Sequence, residues 1–390
     1  MGGLYRAPKA GSDPVRPVNI VFVGAGAVGC FYASRLHHPD HNIHVSLIAR
    51  SNYRALEESG VKLQTHTFGN YTFRPSAVYP SPDAASKAVK QWDYIIVTTK
   101  ALPDVSDDSA LIAPLVSPDS CIVLIQNGVG VEEPYRLRFP TNPIVSGVTV
   151  ISAEQTSPGV IRQNRWTRLH LGPYSDSANS SSDRDTGDGT TGALVPSSSS
   201  SPSSPAAATI TPDDDSFNEA LLTAGTACSD ALGDWWTRLG QIPDITVSSE
   251  IDLQLIRWHK LTINAAFNPS SVLSGGLGNA EMVRDPELRR HLHGVMKEIW
   301  DAAPKILGRG FPPELAGPEK ILRSTERNVG SKPSMLLDWE GGRRMELEVI
   351  LGNPVRLARR RGVELGRMGT LYALLRSAQE VRDGGKKARL

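Results

Sequence analysis

The chain has 390 residues, 39% of them hydrophobic, and its 42 basic and 41 acidic residues give a formal net charge of +1. This length favours two domains, and the balanced charge gives no indication of nucleic acid or an anionic membrane as a partner. No apolar run in the sequence reaches the roughly 18–20 residues that span a bilayer, so we expect no membrane partner.

Two features bear on the compartment. Cys30, Cys121 and Cys228 are scattered and odd in number, so we expect a reducing compartment, no disulfide framework and no metal site. Residues 1–17, which we predict to be a flexible leader, lack the apolar segment of a secretory signal. A cytoplasmic location is therefore expected, and a mitochondrial one, favoured only by the leader's few basic residues, is the weaker alternative.

The first predicted element is a buried strand over Val18–Val23, and a glycine-rich turn and a helical pattern follow it. In the dinucleotide-binding fingerprint GxGxxG, the first glycine permits a tight turn, the second lets the backbone approach a pyrophosphate, and the third packs the helix on the sheet. The helix start then offers free amides to phosphate. An ordinary glycine turn is the less favoured alternative. The residues predicted to bind a dinucleotide are Gly24, Ala25, Gly26, Ala27, Val28 and Gly29.

A second predicted strand, HNIHVSLIAR, ends at Arg50. Enzymes that use NAD usually place an acidic residue here to bind the ribose 2′-hydroxyl, whereas a guanidinium suits a 2′-phosphate. The sequence therefore favours NADP(H) over NAD(H) as the cofactor, with Arg50 as a contact. The alternative is an arginine that is merely solvated.

Two more buried strands are predicted in WDYIIVTTK and CIVLIQNG, with helices or loops between the strands. Lys100 and Asn127 follow these strands. Because ligands of open α/β sheets bind at the carboxyl ends of the strands, both residues are candidate cofactor contacts, and Asn127 is also a candidate substrate contact. Either one is equally compatible with a polar group that caps a loop.

The segment PIVSGVTVISAEQTSPGVIRQNRWTRLHLG predicts three short strands that extend the sheet antiparallel, with a turn at Ser157-Pro158-Gly159. Residues 175–216 are rich in serine, proline, glycine and aspartate, and we predict a disordered insertion there. A tolerated surface loop is favoured over a phosphorylated tract. A helical segment from Phe217 and a short strand over Ile245–Val247 follow.

From about Glu250 the sequence predicts helices only: the helix that carries Lys260, then helices near 285–307 and 318–328, and one or two more from Arg344. We therefore predict an α/β fold, with a Rossmann-type domain over residues 18–248 and an all-helical domain over residues 249–390.

One stripe of the predicted Lys260 helix is polar. Lys260, Asn264 and Asn268 are spaced four residues apart, so they share one side of a helix that is otherwise nearly all apolar. An unpaired amide in a core costs roughly 1–3 kcal/mol, and a buried ammonium costs more. The stripe therefore either faces water and polar neighbours or lines a ligand crevice.

The sequence resembles the ketopantoate reductases (2-dehydropantoate 2-reductases) over roughly residues 18–175 and 217–375. The features that carry the resemblance are GAGAVG, VTTKA, QNGVG, KLTINAAFNP and SKPSMLLDWEGGRRMELEVILGNPVRLARRRG, of which the last two are the most specific. The leader and the serine-rich insertion depart from the family pattern without touching a motif. The resemblance implies a helical domain like the C-terminal domain of 6-phosphogluconate dehydrogenase.

The resemblance also assigns roles to residues. It implies that Lys260 is catalytic and that Glu346 lies on the cofactor side, either at the NADP ribose or orienting Lys260. Ala153 matches a cofactor-contacting alanine. The residues matched to substrate binding are Asn264, Asn268, Asn279 and Ser334, and the loop before Asn279 makes that match the least secure.

The function implied is NADPH-dependent reduction of ketopantoate to pantoate for pantothenate synthesis, by a monomer or homodimer. A lysine in an apolar site has a lowered pKa, so Lys260 can polarise the substrate carbonyl and give up a proton. Two alternatives stay open: a reductase of the same fold for another 2-oxo acid, and a non-catalytic NADP-binding protein. The presence of Lys260, Ser334 and Glu346 together argues against the second.

Overall fold

The computed structural model describes residues 11–175 and 215–387. The serine-rich insertion predicted over residues 175–216 therefore lies almost entirely outside the described residues, as do residues 1–10 of the leader. The rest of the leader contacts the first domain: the Asp13 carboxylate lies 2.6 Å from His41 Nδ1, and the Arg16 guanidinium lies 2.6 Å from the Asp93 carboxylate.

The first domain is built on a ten-stranded sheet with the order β4-β3-β9-β8-β7-β6-β1-β2-β5, and β10 pairs with β9. The strands are β1 (Val18–Val23), β2 (Ile43–Ile48), β3 (Val61–Thr65), β4 (Gly69–Phe73), β5 (Val78–Tyr79), β6 (Tyr94–Val97), β7 (Cys121–Leu124), β8 (Ile144–Ser157), β9 (Val160–Tyr174) and β10 (Ile245–Val247). Its helices are α1 (Ala27–Ser34), α2 (Tyr53–Ser59), α3 (Pro82–Ala88), α4 (Asp108–Ile112), α5 (Glu133–Arg138) and α6 (Asp215–Asp234).

The strands β5, β2, β1, β6, β7 and β8 run parallel in that order. Helices cover both faces of such a sheet, which is why the central strands are almost purely apolar and buried. The chain moves outward from β1 to β2 and later returns to place β6 on the other side of β1. This reversal opens a crevice at the carboxyl ends of β1 and β6, where ligands of such sheets bind.

The prediction of three short strands after residue 143 is wrong. Two long strands, β8 and β9, form one antiparallel hairpin, and its turn lies at Ser157-Pro158-Gly159 as predicted. The pairing register shifts between Ile151 and Ala153, and Trp166 has a left-handed backbone with φ of 56°. These irregularities interrupt the alternation of side chains, so the sequence appears to contain an extra strand.

The segment between β2 and β6 is also different from the prediction, which allowed only helices and loops there. It contains β3, β4 and β5 as well as two helices. In β3, Val61, Leu63 and Thr65 are buried while Lys62 and Gln64 are exposed. Only one face of this outer strand is apolar, and a five-residue alternation is a weak signal beside the continuous apolar runs of the central strands.

The second domain consists of helices, as predicted. They are α7 (Glu250–Leu273), α8 (Asn279–Arg284), α9 (Pro286–Leu307), α10 (Pro318–Thr325), α11 (Ser334–Glu340), α12 (Asn353–Arg360) and α13 (Gly366–Lys387), with a π turn over Glu348–Gly352. The short helices α8 and α11 were not predicted. Within residues 11–175 and 215–387, no helix is long and apolar enough to cross a membrane.

Helix α7 is the central helix of this domain. Its first turn is capped by the Ser249 side chain, which accepts a hydrogen bond from the Asp252 amide, and its apolar sides pack in the domain core with Trp258 and Leu261 fully buried. The loops that follow β6 and β7 contribute Ala101 and Val129 to the same core. The carboxyl edge of the sheet is therefore packed directly against the helix that carries Lys260.

Candidate functional site

A chain of hydrogen bonds joins Lys260 to the carboxyl edge of the sheet. Lys260 Nζ donates to Asn127 Oδ1 at 2.8 Å, and Asn127 Nδ2 donates to Glu346 Oε2 at 3.1 Å. Glu346 Oε1 accepts from the Ala101 backbone amide at 3.3 Å. Three predicted site residues, from the β7 loop, from α7 and from the segment before the π turn, thus meet between the two domains.

The environment of Lys260 favours its neutral amine. Burial, together with the smaller effect of the Arg257 charge and against the opposing effect of Glu346, lowers the pKa of Lys260 to about 8. Burial also raises the pKa of Glu346, against the hydrogen bond from Asn127. An ammonium whose pKa lies close to neutral pH is suited to donate a proton and to be recharged between turnovers.

The two asparagines on the Lys260 stripe lie on the same side of α7. Asn264 lines a small void together with Lys260 and Asn127. Asn268 is 4% exposed, and its Nδ2 has no hydrogen-bond partner within the described residues. A buried amide donor without a partner costs about 1–3 kcal/mol, so a hydrogen-bonding ligand at this stripe would remove a penalty that the protein otherwise carries.

Asn279 and Ser334, the other two residues matched to substrate binding, lie on different helices, α8 and α11. The side chain of Asn279 donates to Ser331 Oγ at 3.4 Å, which places the start of α8 beside the segment that leads into α11. The Asn279 Oδ1 atom is buried without a partner in the part of the chain described. Ser334 is the exposed first residue of α11, and no hydrogen bond joins it to the Lys260 network among these residues.

The glycine loop has the shape that a dinucleotide requires. Gly24 has φ of 110°, and a Cβ there would lie 2.8 Å from the Thr99 amide. A Cβ on Gly29 would lie 2.2 Å from the Gly24 carbonyl oxygen, whereas Gly26 is exposed and faces open space. The first turn of α1 has no side-chain cap. Its amides therefore remain able to bind a pyrophosphate, and Ala25, Ala27 and Val28 complete the loop.

The end of β2 and the far end of β8 approach the glycine loop together. Arg50 is exposed two residues beyond β2. The Asn52 side chain donates to the Ala25 carbonyl at 3.2 Å and to Gln155 Oε1 at 2.6 Å. Because Gln155 is only two residues from Ala153 on β8, this bond brings the predicted cofactor-contacting alanine toward the loop.

Lys100 lies at the junction of the domains. Its ammonium forms an ion pair with Asp338 on α11, and the same carboxylate accepts a bond from Arg343 Nε at 3.0 Å. The Lys100 side chain keeps 43% of its surface exposed, so the ion pair leaves part of it open to a ligand.

Sequence reasoning missed a buried ion pair beside Lys260. Arg257 Nη2 lies 3.1 Å from Glu132 Oε1, and the two side chains are 3% and 2% exposed. The signal was available, since Arg257 is three residues before Lys260 on the same apolar helix. A charged residue at a core position requires a buried partner, and the sequence alone did not show which acid provides it.

Size alone does not identify the site. A groove of about 820 Å³ lies between the loop after β6, the loop after β7 and the start of α12, and its lining includes Asp108, Tyr135 and Arg356. Lys260, Asn264 and Asn127 do not line it. The buried polar network around Lys260, rather than this groove, marks the candidate active site.

Two family profiles match the chain. One, described as "Ketopantoate reductase PanE/ApbA", matches residues 20–176, and the other, "Ketopantoate reductase PanE/ApbA C terminal", matches residues 252–379. The uncharacterized protein YDL144C of Saccharomyces cerevisiae is 28% identical over 384 residues, which cover 91% of this chain and 92% of the yeast protein.

Solved structures show the same fold. The crystal structure of 2-dehydropantoate 2-reductase from Methylococcus capsulatus has a TM-score of 0.71 at 29% identity, covering 94% of this chain and 98% of that one. D-mandelate dehydrogenase, solved with NADH and anilino(oxo)acetate, has a TM-score of 0.65 at 16% identity, covering 94% and 99%. With family profiles matching both of its domains, the chain belongs to the ketopantoate reductase family of oxidoreductases.

Proposed function

We propose that the protein uses NADPH to reduce 2-dehydropantoate (ketopantoate) to pantoate, the precursor of pantothenate. The observation that carries this proposal is the contact between Lys260 Nζ and Asn127 Oδ1 at 2.8 Å, which places a buried amine of lowered pKa at the carboxyl edge of a dinucleotide-binding sheet. Reduction of a 2-oxo acid requires a proton donor at this edge, close to where hydride is delivered.

Each side chain of the network has a part in the proposed reaction. A nicotinamide dinucleotide held at the glycine loop would supply hydride to the carbonyl carbon of the substrate. The Lys260 ammonium polarises the carbonyl oxygen and then gives that oxygen its proton, so that an alcohol forms. Asn127 holds Lys260 in place, and its own position is fixed by the bond to Glu346.

The substrate's other polar groups are assigned to the asparagine stripe and its neighbours. Asn264 and Asn268 bind the substrate hydroxyl and carboxylate without adding charge, and the Nδ2 of Asn268, which has no partner among the described residues, supports this assignment. Ser334 binds the carboxylate from the side of α11, and Asn279 adds a further contact. We expect the partners to be small 2-oxo acids and the protein to act in the cytoplasm as a monomer or homodimer.

NADP(H) rather than NAD(H) is proposed as the cofactor because Arg50 follows β2 and is exposed beside the glycine loop. Lys100, Asn127, Ala153 and Glu346 are proposed as further cofactor contacts. A guanidinium forms charge-assisted, bidentate hydrogen bonds with a phosphate, which a ribose hydroxyl does not match.

The proposal is tested by measuring NADPH oxidation with a panel of 2-oxo acids that includes ketopantoate, 2-oxoisovalerate and phenylglyoxylate. We expect the highest kcat/KM with ketopantoate. If another acid of the panel is preferred, that acid is the substrate, and the proposed reaction, reduction of a 2-oxo acid, still holds. Binding of NADPH without turnover of any 2-oxo acid would instead support a non-catalytic NADP-binding protein.

A further inference from the structure

The buried side chain of Arg257 contacts several groups of the first domain. Its guanidinium Nη1 donates to the carbonyl oxygens of Gln126 at 3.1 Å and Gly128 at 2.9 Å. Its Nη2 donates to the Gly147 carbonyl at 3.3 Å and to the Ser146 hydroxyl, and forms the ion pair with Glu132. All of these partners belong to the first domain, whereas Arg257 lies on α7 of the second.

The two Nη1 contacts flank Asn127 in the chain. Gln126 and Gly128 present their carbonyl oxygens to one guanidinium, so the backbone on both sides of Asn127 is fixed relative to α7. Lys260 lies one helical turn after Arg257 on that same helix and contacts the Asn127 side chain. Both partners of the Lys260–Asn127 bond are therefore held by Arg257.

We propose that Arg257 is a positioning residue for the reaction: with Glu132 it holds the Asn127 loop against α7 and sets the charge beside Lys260. It does not touch the reacting atoms. This inference rests on the proposed function only for its effect on catalysis, because the effect on the Lys260 amine is expected whatever the substrate is.

The charges around Lys260 predict in which direction substitutions at Arg257 and Glu132 shift the pKa of Lys260. Arg257 disfavours the ammonium form of Lys260, and Glu346 favours it. Glu132 neutralises Arg257, since the two side chains are buried together at 3.1 Å. Removing Arg257 should therefore raise the pKa of Lys260, while removing the charge of Glu132 should lower it.

The remaining charges near the site act mainly on Glu346. Lys100 lowers the pKa of Glu346, and Asp338 raises it. Lys100 and Asp338 also form an ion pair with each other, so their net effect on Lys260 is small. Substitutions at Arg257 and Glu132 leave that pair in place.

The experiment measures the pKa of the Lys260 amine by pH-dependent acetylation and mass spectrometry of the full-length protein, with the exposed Lys320 as an internal control. In Arg257→Met we expect the pKa of Lys260 to rise by roughly one unit, and in Glu132→Gln to fall by a similar amount. If the ion pair had only a structural role, both variants would be less stable, but the pKa of Lys260 would not shift in opposite directions in the two. Equal or absent shifts in both variants would overturn the proposal.

Two further variants keep the test decisive if Arg257→Met fails to fold. The double change Arg257→Met with Glu132→Leu removes the pair without leaving a buried unpaired charge, and such replacements often fold well. It should give a pKa of Lys260 between those expected for the two single variants. A value outside that interval would contradict the proposed charge balance.

Arg257→Lys separates charge from position. The lysine keeps the positive charge but lacks the planar fork that reaches the carbonyls of both Gln126 and Gly128. We expect a nearly unchanged pKa of Lys260 and a kcat at least about tenfold lower, with little change in the Kd for NADPH. An unchanged kcat would show that Arg257 does not position Asn127. If no 2-oxo acid is reduced even by the wild type, the proposed function fails, while the pKa shifts still test the charge balance.

Discussion

Lys260 Nζ donates a hydrogen bond to Asn127 Oδ1 although the two residues are 133 positions apart in the chain. One lies on a helix of the second domain, and the other lies in a loop at the carboxyl edge of the sheet. Neither domain alone contains this contact. The candidate active site is therefore a product of domain docking, and changes to residues that hold the domains together should affect catalysis as well as stability.

Loss of the Lys260 amine should affect the chemical step. In Lys260→Ala we expect kcat to fall by at least about 10²-fold, because general acid catalysis by one side chain contributes about 10²–10⁴-fold. Binding of NADPH, measured by fluorescence titration, should stay close to wild type. Lys260→Arg should not restore kcat, since a guanidinium stays protonated near neutral pH.

Lys320→Ala is the matched control for this prediction, because Lys320 is exposed on α10. It should keep the wild-type kcat. Weakened NADPH binding with a normal kcat in Lys260→Ala would instead place the lysine in the cofactor site, and another proton donor would have to be found.

The pH dependence of turnover follows from the same amine. Lys260 must be protonated to act as the acid, and burial lowers its pKa to about 8. We therefore expect kcat for 2-oxo acid reduction to be constant below that pH and to decrease as the pH rises through it. The measurement is a kcat profile at saturating cofactor and substrate. A profile that is flat up to pH 10 would exclude Lys260 as the acid.

Folding stability should show the opposite trend with pH. The pKa of Lys260 is about 8 in the folded protein against 10.5 for an ordinary lysine. Between these values the unfolded chain binds a proton that the folded protein does not, so the free energy of unfolding rises with pH in this window. Below it, both states are protonated and the burial penalty is present in full. The free energy of unfolding is measured by urea titration at a series of pH values. Its change with pH should differ between wild type and Lys260→Met only in this window.

Cofactor choice is expected to depend on Arg50. In Arg50→Ala the KM for NADPH should rise much more than that for NADH, because a charged hydrogen bond to a phosphate contributes about 1.5–3 kcal/mol. Arg54→Ala is the matched control, since Arg54 is exposed one turn further along, on α2. If Arg50→Ala keeps the wild-type ratio of NADPH to NADH efficiency, Arg50 does not bind the 2′-phosphate.

Substitutions at two glycines with similar backbone angles distinguish the cost of backbone strain from the cost of overpacking. Gly128 and Gly69 both have positive φ, 92° and 71°, but a Cβ on Gly128 would lie 2.5 Å from Val349, while one on Gly69 meets nothing within 4 Å. Gly69→Ala should cost about 1–2 kcal/mol through its left-handed backbone. Gly128→Ala should cost a further ~1–3 kcal/mol through overpacking. Thermal unfolding of both variants gives this difference, and equal losses would contradict it.

Gly128→Ala should also reduce kcat, unlike Gly69→Ala. Val349 belongs to the π turn that follows Glu346, and the Val129 amide donates to its carbonyl oxygen at 2.8 Å. Moving this turn away from the loop would pull Glu346 away from Asn127. A normal kcat in Gly128→Ala would show that the loop tolerates the shift.

The central parallel sheet and the Lys260 helix could be predicted because their patterns are local and strong. Val18–Val23 is a continuous apolar run, and Lys260, Asn264 and Asn268 share one helical stripe whatever surrounds them. The outer strand β3 was missed since its burial depends on β9, nearly one hundred residues later in the chain. Strands that depend on distant partners carry little signal in their own sequence.

The proximity of Asn127, Lys260 and Glu346 could be predicted from the sequence, but the hydrogen bonds between them could not. Family resemblance placed Asn127, Lys260 and Glu346 in one region, yet no spacing shows that the Asn127 amide lies between the other two. Arg257 was overlooked because nothing local identifies Glu132 as its buried partner. Contacts across a domain interface depend on the docked structure, and sequence periodicity does not encode them.

The position of Asn127 has a consequence for the return of the proton. Its amide oxygen faces the Lys260 ammonium and its amide nitrogen faces the Glu346 carboxylate. A side-chain amide does not titrate, so it separates the only acid–base couple in this network instead of connecting it. Lys260 cannot be recharged by Glu346 through Asn127. In the proposed reaction, each catalytic cycle would therefore draw the proton of Lys260 from bulk water through the interdomain crevice, which would have to admit solvent after product leaves.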